Sequence, residues 1–282
     1  MIKKLFSLPK IVGILNLTPD SFSDKGKYFN EKSAIEQLNK MLNDGADIID
    51  IGAESTRPNA TILSADQEIS RLANILPKLV EIVENFNQRT QKNIEISIDS
   101  YHYETMIFAH KNRIKFINDI SGLIDEKVIN FIAQNKLSAI LMHNLAIHAN
   151  PDIIVNRELN VFDEIIKWAN EKIAILKSKN IDKSQLIFDP GIGFAKDGKQ
   201  SLRIIKNISA YKILGLKIYV GHSNKSFLDF LKIPQNNNLN RQQKTLIISQ
   251  YLAKNSVDYI RVHDVEANIL AINKVFKDYP LL

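Results

Sequence analysis

Eight short apolar runs recur along the chain with room for a helix between successive runs, and this alternation limits the fold more than any other feature. The runs are Ile11–Leu15, Asp47–Ile51, Glu95–Asp99, Lys115–Asn118, Ser138–Met142, Leu186–Asp189, Lys217–Val220 and Tyr259–Val262. Stretches of helical period lie between them, for example Ser33–Asn43, Ala65–Phe86, Phe162–Lys179 and Gln243–Lys254, and a last one runs from about Val265 to Phe276. Strands that alternate with helices pair in parallel, because a right-handed crossover needs the helix to return the chain. Eight such units in 282 residues predict an α/β fold, a (β/α)8 TIM barrel forming a single domain over 1–282. An open doubly wound sheet shares the same periodicity. No Gly/Ser-rich linker divides the chain, and the one low-complexity patch, Gln235-Asn236-Asn237-Asn238, reads as a surface loop.

Composition narrows the chemistry. The chain has no cysteine, which excludes disulfides, thiolate metal sites and cysteine nucleophiles. No run approaches the roughly 20 apolar residues that span a bilayer, and Pro9 follows the start too soon for a signal peptide. The expectation is a soluble cytoplasmic protein with no membrane partner. The net charge is +6, but lysines scattered among acids form no basic stripe, so nucleic acid is not an expected partner. A positive surface still favours small anions.

In a barrel of this kind the C-terminal ends of the strands carry the active site. Those ends read Asn16, Gly52-Ala53-Glu54, Asp99, Asn118-Asp119, Met142-His143, Asp189, Gly221-His222-Ser223 and Arg261-Val262-His263-Asp264. One polar strand end is ordinarily a cap for the next helix; a ring of them at the ends of Ile/Val/Leu strands is a site. Asp99, Asn118 and Asp189 offer carboxylates and an amide suited to a flat heterocycle with N–H donors. Arg57, Lys225, Arg261 and His263 form a cationic half, and Arg261 and His263, two apart on a strand, share a face and can grip a phosphate. Asn16 could complete a hydrated Mg2+ site whose other ligands are phosphate oxygens. The plainer readings are that Asp99 and Asp189 cap helices and that Arg261 pairs with Asp264.

Other motifs carry less. His143 and His148 are five apart in a loop, not a one-face zinc pair. Gly191-Ile192-Gly193 lacks the third glycine of a dinucleotide fingerprint, and the segment Gly221 to Ser226 lacks P-loop spacing. No histidine is placed to activate a serine.

Taken together, the segments GILNLTPDSFSD (13–24), DIIDIGAESTRPNA (47–60), ISIDS (96–100), INDISG (117–122), LMH (141–143), FDPGIGFAKD (188–197), GHSNKS (221–226) and RVHDV (261–265) closely resemble the dihydropteroate synthase family, the folate-pathway target of sulfonamides. The resemblance spans residues 11 to 265 in the family's order. It implies a TIM barrel that joins 7,8-dihydropterin-CH2-pyrophosphate to p-aminobenzoate with Mg2+, by a dissociative path without a general base. Matched to the motifs, Asp99, Asn118, Met142, Asp189 and Lys225 would hold the pterin, with Asp99, Asp189 and Lys225 as the catalytic groups. Thr56, Arg57, Arg261 and His263 would bind pyrophosphate; Phe22, Pro58, Phe194 and Ser226 would form the p-aminobenzoate pocket; Asn16 would bind Mg2+.

Several positions depart from the family's usual pattern, namely His222, Asn224, Ile192, Ala195 and the segment Asn144-Leu145-Ala146, and these bear on the shape of the p-aminobenzoate pocket. A pterin-dependent methyltransferase and a non-catalytic pterin-binding paralogue are the rival readings; the cationic residues argue against the first, and Asn16, Thr56, Arg57 and Lys225 against the second. Loops at about 17–31 and 53–65 are expected to be mobile when empty. Arg261→Ala is expected to weaken pyrophosphate-ester binding while sparing plain pterin. The resemblance also implies a homodimer through the late helices.

Overall fold

In the computed structural model the strands close on themselves, and the first strand pairs with the last. Residues 8–18, 31–55, 61–147, 150, 152–233 and 238–277 are described. The order is β1 (Lys10–Asn16), α1 (Glu31–Asp44), β2 (Ile48–Gly52), α2 (Ala65–Leu72), α3 (Leu76–Thr90), β3 (Glu95–Asp99), α4 (Tyr103–Lys111), β4 (Phe116–Asp119) and α5 (Glu126–Asn135). It continues through β5 (Ser138–Met142), α6 (Val161–Ser178), β6 (Leu186–Asp189), α7 (Gly198–Lys206), β7 (Lys217–Gly221), α8 (Arg241–Lys254), β8 (Tyr259–Val262) and α9 (Val265–Lys277). The strands form a closed barrel in sequence order, all parallel, with Val12 level with Ile48 on one side and Arg261 on the other. Closure rules out the open sheet.

Alternation along each strand divides two cores. Val12, Ile48, Phe116, Ile140, Ile187, Tyr219 and Tyr259 point inward and fill the barrel. Ile49, Ile51, Ile98, Leu141, Phe188 and Ile260 point outward and pack on the helices through residues such as Leu38, Leu79, Ile132, Ile165 and Leu252. A fully buried Leu or Ile contributes about 1.5–3 kcal/mol, against about 0–1 kcal/mol for an exposed ion pair, so these cores hold the barrel shut. Gly13 lets α1 lie close: a Cβ there would come within 2.7 Å of Met41 Sδ.

Several helix boundaries differ from the sequence expectation, and two of the differences have a clear local cause. The stretch Ala65–Phe86 is two helices, α2 and α3, because Pro77 lacks the N–H that an uninterrupted helix needs and sits instead in the first turn of α3. Helix α8 begins at Arg241 rather than Gln243, because Asn240 caps it and Gln243 is the third residue of a capping box. The patch 235–238 lies outside the described residues, except for Asn238. No described helix is long and apolar enough to cross a membrane.

Candidate active site at the C-terminal barrel mouth

Inward parity places Asn16, Asp99, Asn118, Met142, Asp189 and Arg261 at or just below the rim where the strands end. Beneath them lies a carboxylate the strand-end reading passed over. Asp50, in the middle of β2, is fully buried. Its Oδ2 accepts from Arg261 Nε at 2.6 Å and from Asn118 Nδ2 at 3.0 Å, and its Oδ1 accepts from Ser97 Oγ at 2.6 Å. Arg261 Nη2 donates to Asp99 Oδ2 at 2.6 Å. Two carboxylates therefore share one guanidinium across the barrel. The signal was present in the sequence: an acid at the same parity as Ile48, inside a run otherwise apolar.

This network corrects both plainer readings. Arg261 pairs with Asp50 and Asp99 rather than with Asp264. Asp99 is not a helix cap; the residue at that position before α4 is His102, with no side-chain cap bond. Asp189 uses Oδ1 to accept from Gly191 N at 2.7 Å, which shapes the loop that follows. Neighbouring Asp119 is consumed by its own turn, accepting from the Ser121 N–H and hydroxyl and from Leu123 N. Its side chain is not part of the mouth.

Lys225 donates to Ile192 O at 2.5 Å, and its Nζ lies 4.5 Å from the centre of the Phe194 ring. Phe194 and Met142 border the same inner cluster. Ser226 is exposed at the start of the 3-10 turn Ser226–Phe230. His263 shares a 2.9 Å hydrogen bond with Ser223 Oγ. On its outer side is a cavity of about 470 Å³ bounded by Lys40, Asp44, Asp264 and Glu266. Lys40 there is already paired with Asp44 at 2.6 Å, and Asp264 and Glu266 add further negative charge, so this cavity is a poor anion site. His222 turns outward, fully buried, with Nε2 2.9 Å from Ser249 Oγ and 3.2 Å from Thr245 O. It therefore has no part in the pocket's shape. Asn224 occupies a left-handed position (φ 57°), which Asn tolerates better than most residues.

Burial sets the protonation states. It raises the Asp99 carboxyl to about 7, helped by Asp50 and Glu68 and opposed by Arg261 and Lys225. Burial also raises Asp189, against the pull of Lys225. It lowers the Lys225 ammonium to about 8, which Asp189 counteracts. For Arg261, burial alone would lower the value, but Asp50 and Asp99 outweigh it and hold the guanidinium charged. Below about 7 Asp99 takes a proton and above about 8 Lys225 loses one, so the charged pair coexists mainly between them. Chemistry at this mouth that needs both charges is expected to follow a narrow bell over that interval, falling about tenfold per pH unit on each far limb. Asp99→Asn should remove the acid limb; an unchanged acid limb in that variant would assign it elsewhere.

A family model described as pterin binding enzyme matches residues 12–263. A dihydropteroate synthase from Clostridium beijerinckii is 36% identical over 261 residues, covering 92% of this chain and 90% of that one. This chain belongs to the pterin-binding enzymes, among the dihydropteroate synthases. It is accordingly an enzyme, a transferase of folate biosynthesis. Solved members share its barrel. The Anaplasma phagocytophilum dihydropteroate synthase with bound 6-hydroxymethylpterin-monophosphate superposes with a TM-score of 0.82 at 32% identity, covering 95% of this chain and 98% of that one. The Xanthomonas albilineans enzyme with 4-aminobenzoic acid also gives 0.82, at 27% identity, covering 98% and 94%.

Of the family-matched positions, Phe22, Thr56, Arg57 and Pro58 lie outside the described residues, as do most of the two loops expected to be mobile, over 19–30 and 56–60. Asn16, Asp99, Asn118, Met142, Asp189, Phe194, Lys225 and Arg261 gather at one mouth, His263 follows on the Arg261 strand end, and Ser226 is exposed directly after Lys225. Besides Asp50, the sequence reading missed Lys196, a buried lysine in the loop after β6. Lys196 lies within the matched segment 188–197, but a lysine in a polar loop reads as surface, so it was given no role.

Proposed function

We propose that the barrel mouth condenses 7,8-dihydropterin-CH2-pyrophosphate with p-aminobenzoate to give 7,8-dihydropteroate and pyrophosphate. The observation that carries this reading is the set Asp99, Asn118 and Asp189, the last two buried and the first partly so, placed beside the Arg261 guanidinium. The carboxylates and amide accept from the N–H edge of the pterin. Lys225 supplies a cation near Asp189, and Met142 and Phe194 face the flat rings. Asn118 donates to Asp50, so its carbonyl oxygen is left to the ligand.

The methylene C–O bond breaks first and its electron pair leaves with pyrophosphate. The cation that remains is delocalised into the pterin and favoured by the fixed charge of Asp99 and Asp189. The amine of p-aminobenzoate then forms the C–N bond and releases its proton to solvent, so no general base is assigned. Preorganised charge of this kind is worth roughly 3–4 kcal/mol per well-aimed group. Arg261 and His263, with Thr56 and Arg57, take the leaving pyrophosphate; Phe194, Ser226, Pro58 and Phe22 take p-aminobenzoate, and a sulfonamide would compete there.

Mg2+ fits the donors. Among the described residues there is no group of three or more His, Asp or Glu that could hold an ion, whereas Asn16 offers a neutral oxygen at the end of β1. A hard dication that keeps its waters and borrows phosphate oxygens needs little more from the protein. When bound, it would neutralise charge on the leaving pyrophosphate. Action in the cytoplasm as a homodimer completes the reading. Exposed Leu270 on α9 and Tyr251 on α8 support pairing through the late helices, and sedimentation at the monomer mass would count against it.

A crystal soaked with a pterin and pyrophosphate tests the assignment. The pterin is expected against Asp99, Asn118 and Asp189, and pyrophosphate against Arg261 and His263. A pterin seated away from the barrel mouth would contradict it.

A further inference from the structure

Lys196 is a lysine whose Nζ is surrounded by acceptors and reaches no substrate position. It is 6% exposed. Its Nζ lies 2.7 Å from Phe194 O, 3.0 Å from His143 O and 2.8 Å from His143 Nδ1. Three N–H donors meet three acceptors, and the acceptors belong to two different walls of the mouth. Phe194 lies in the loop after β6, and His143 directly follows Met142 at the end of β5.

The same seam is tight elsewhere. Gly191 has φ +70°, and a Cβ there would come within 2.0 Å of His143 O. The loop is also pinned on its pocket side, where Lys225 donates to Ile192 O, and at its exit, where Val155 N donates to Ala195 O at 2.9 Å. Burial of an ammonium is costly unless its donors are all used. Burial does lower Lys196 well below its ordinary value, with Asp189 pulling it back up. A lysine kept in such a place is holding something in position.

We propose that Lys196 is a positioning residue that locks the Phe194 loop against the end of β5 and thereby sets the wall on which the arylamine substrate stacks. This rests on the reading of Phe194 as part of the p-aminobenzoate pocket. Of the pterin contacts, Asp99 and Asn118 stand on β3 and β4 away from the Phe194 loop, whereas Asp189 and Lys225 adjoin it, so pterin binding should respond to the loss of Lys196 less than p-aminobenzoate binding does. The chain also carries its own reporter. Trp168 is the one tryptophan in the sequence, and its ring meets His143 edge to face at 4.9 Å. Loosening the His143 contact with Lys196 therefore changes the surroundings of Trp168.

The test is Lys196→Met, which keeps the length and removes the donors, assayed with the full chain. The expected result is a KM for p-aminobenzoate raised by about 10-fold or more, below the roughly 100-fold catalytic cost that a 1 Å misplacement can carry. Pterin affinity should stay within about threefold, with altered Trp168 emission and faster hydrogen exchange over 191–196. Pterin affinity and p-aminobenzoate KM worsening together by the same factor would overturn the proposal, as a general structural role would do that. An unchanged p-aminobenzoate KM would also overturn it. If Lys196→Met does not fold, Lys196→Gln, which keeps donors without the charge, is expected to fold and to show the same split in weaker form; its absence counts against the proposal. Should the wild-type protein make no dihydropteroate, the functional reading fails by itself. Exchange over 191–196 then still decides the lock, and equal rates in variant and wild type would refute it.

Discussion

Replacing Asp50 with Ala should both destabilise the barrel and abolish most of its activity. Asp50 has no exposed surface and touches no proposed substrate position, yet three donors converge on it. Without it, Arg261 keeps only Asp99, and Asn118 and Ser97 lose their acceptor inside the barrel. Removing one partner of a buried pair costs about 3–5 kcal/mol, because the remaining charge is left uncompensated. Thermal or denaturant unfolding should report a loss of that order. Activity should fall about 100-fold or more even in the folded fraction, since both Asn118 and Arg261 lose their orientation. Asp50→Asn keeps one oxygen acceptor and should fall between. A folded Asp50→Ala protein with wild-type kcat/KM would mean that Asp50 is only filler.

Arg261→Ala has the next largest expected effect, and here the structure changes what the sequence implied. Read as an anion clamp alone, Arg261 would matter for the pyrophosphate ester and not for plain pterin. The geometry ties it to Asp50 and Asp99 at 2.6 Å each. Deleting the guanidinium leaves two carboxylates facing one site, and like charges so placed push one of them to take a proton. Asp99, already raised to about 7 by burial and by Asp50, should rise further. Plain pterin should then lose about 10-fold in affinity at neutral pH and regain it in more alkaline buffer, as Asp99 ionises. The pyrophosphate ester should lose about 100-fold or more and not regain it, because its phosphate contact is gone; charge-assisted bonds of this type are worth about 1.5–3 kcal/mol each. Titration calorimetry at two pH values separates the two losses. A purely ester-specific loss would restore the simpler clamp, and equal, pH-independent losses would make Arg261 structural.

How much of this could be read from the residues follows from where each is buried. The strands were legible to within about a residue because parallel strands buried on both faces leave continuous apolar runs. The break at Pro77 was not, since its neighbours keep helical spacing on either side. Asp99, Asn118 and Asp189 stood out because an acid or amide ending an apolar strand is conspicuous. Asp50 did not, although its parity with Ile48 marks it as inward, because attention to strand ends passes over strand middles. His222 showed the reverse problem. A histidine beside a site motif draws notice, yet its parity with Val220 turns it outward to α8. Lys196 sits inside a matched segment, but its role was beyond reach. Its partners are two backbone carbonyls and a ring nitrogen, and backbone acceptors leave no trace in a sequence.

The central claim, that one barrel mouth holds a pterin ester and an arylamine and joins them, is tested most directly by turnover. Purified protein supplied with 7,8-dihydropterin-CH2-pyrophosphate, p-aminobenzoate and Mg2+ should release pyrophosphate and form 7,8-dihydropteroate in equal amounts. Binding of both substrates with neither product appearing would contradict the account and leave a pterin-binding protein without the synthase reaction.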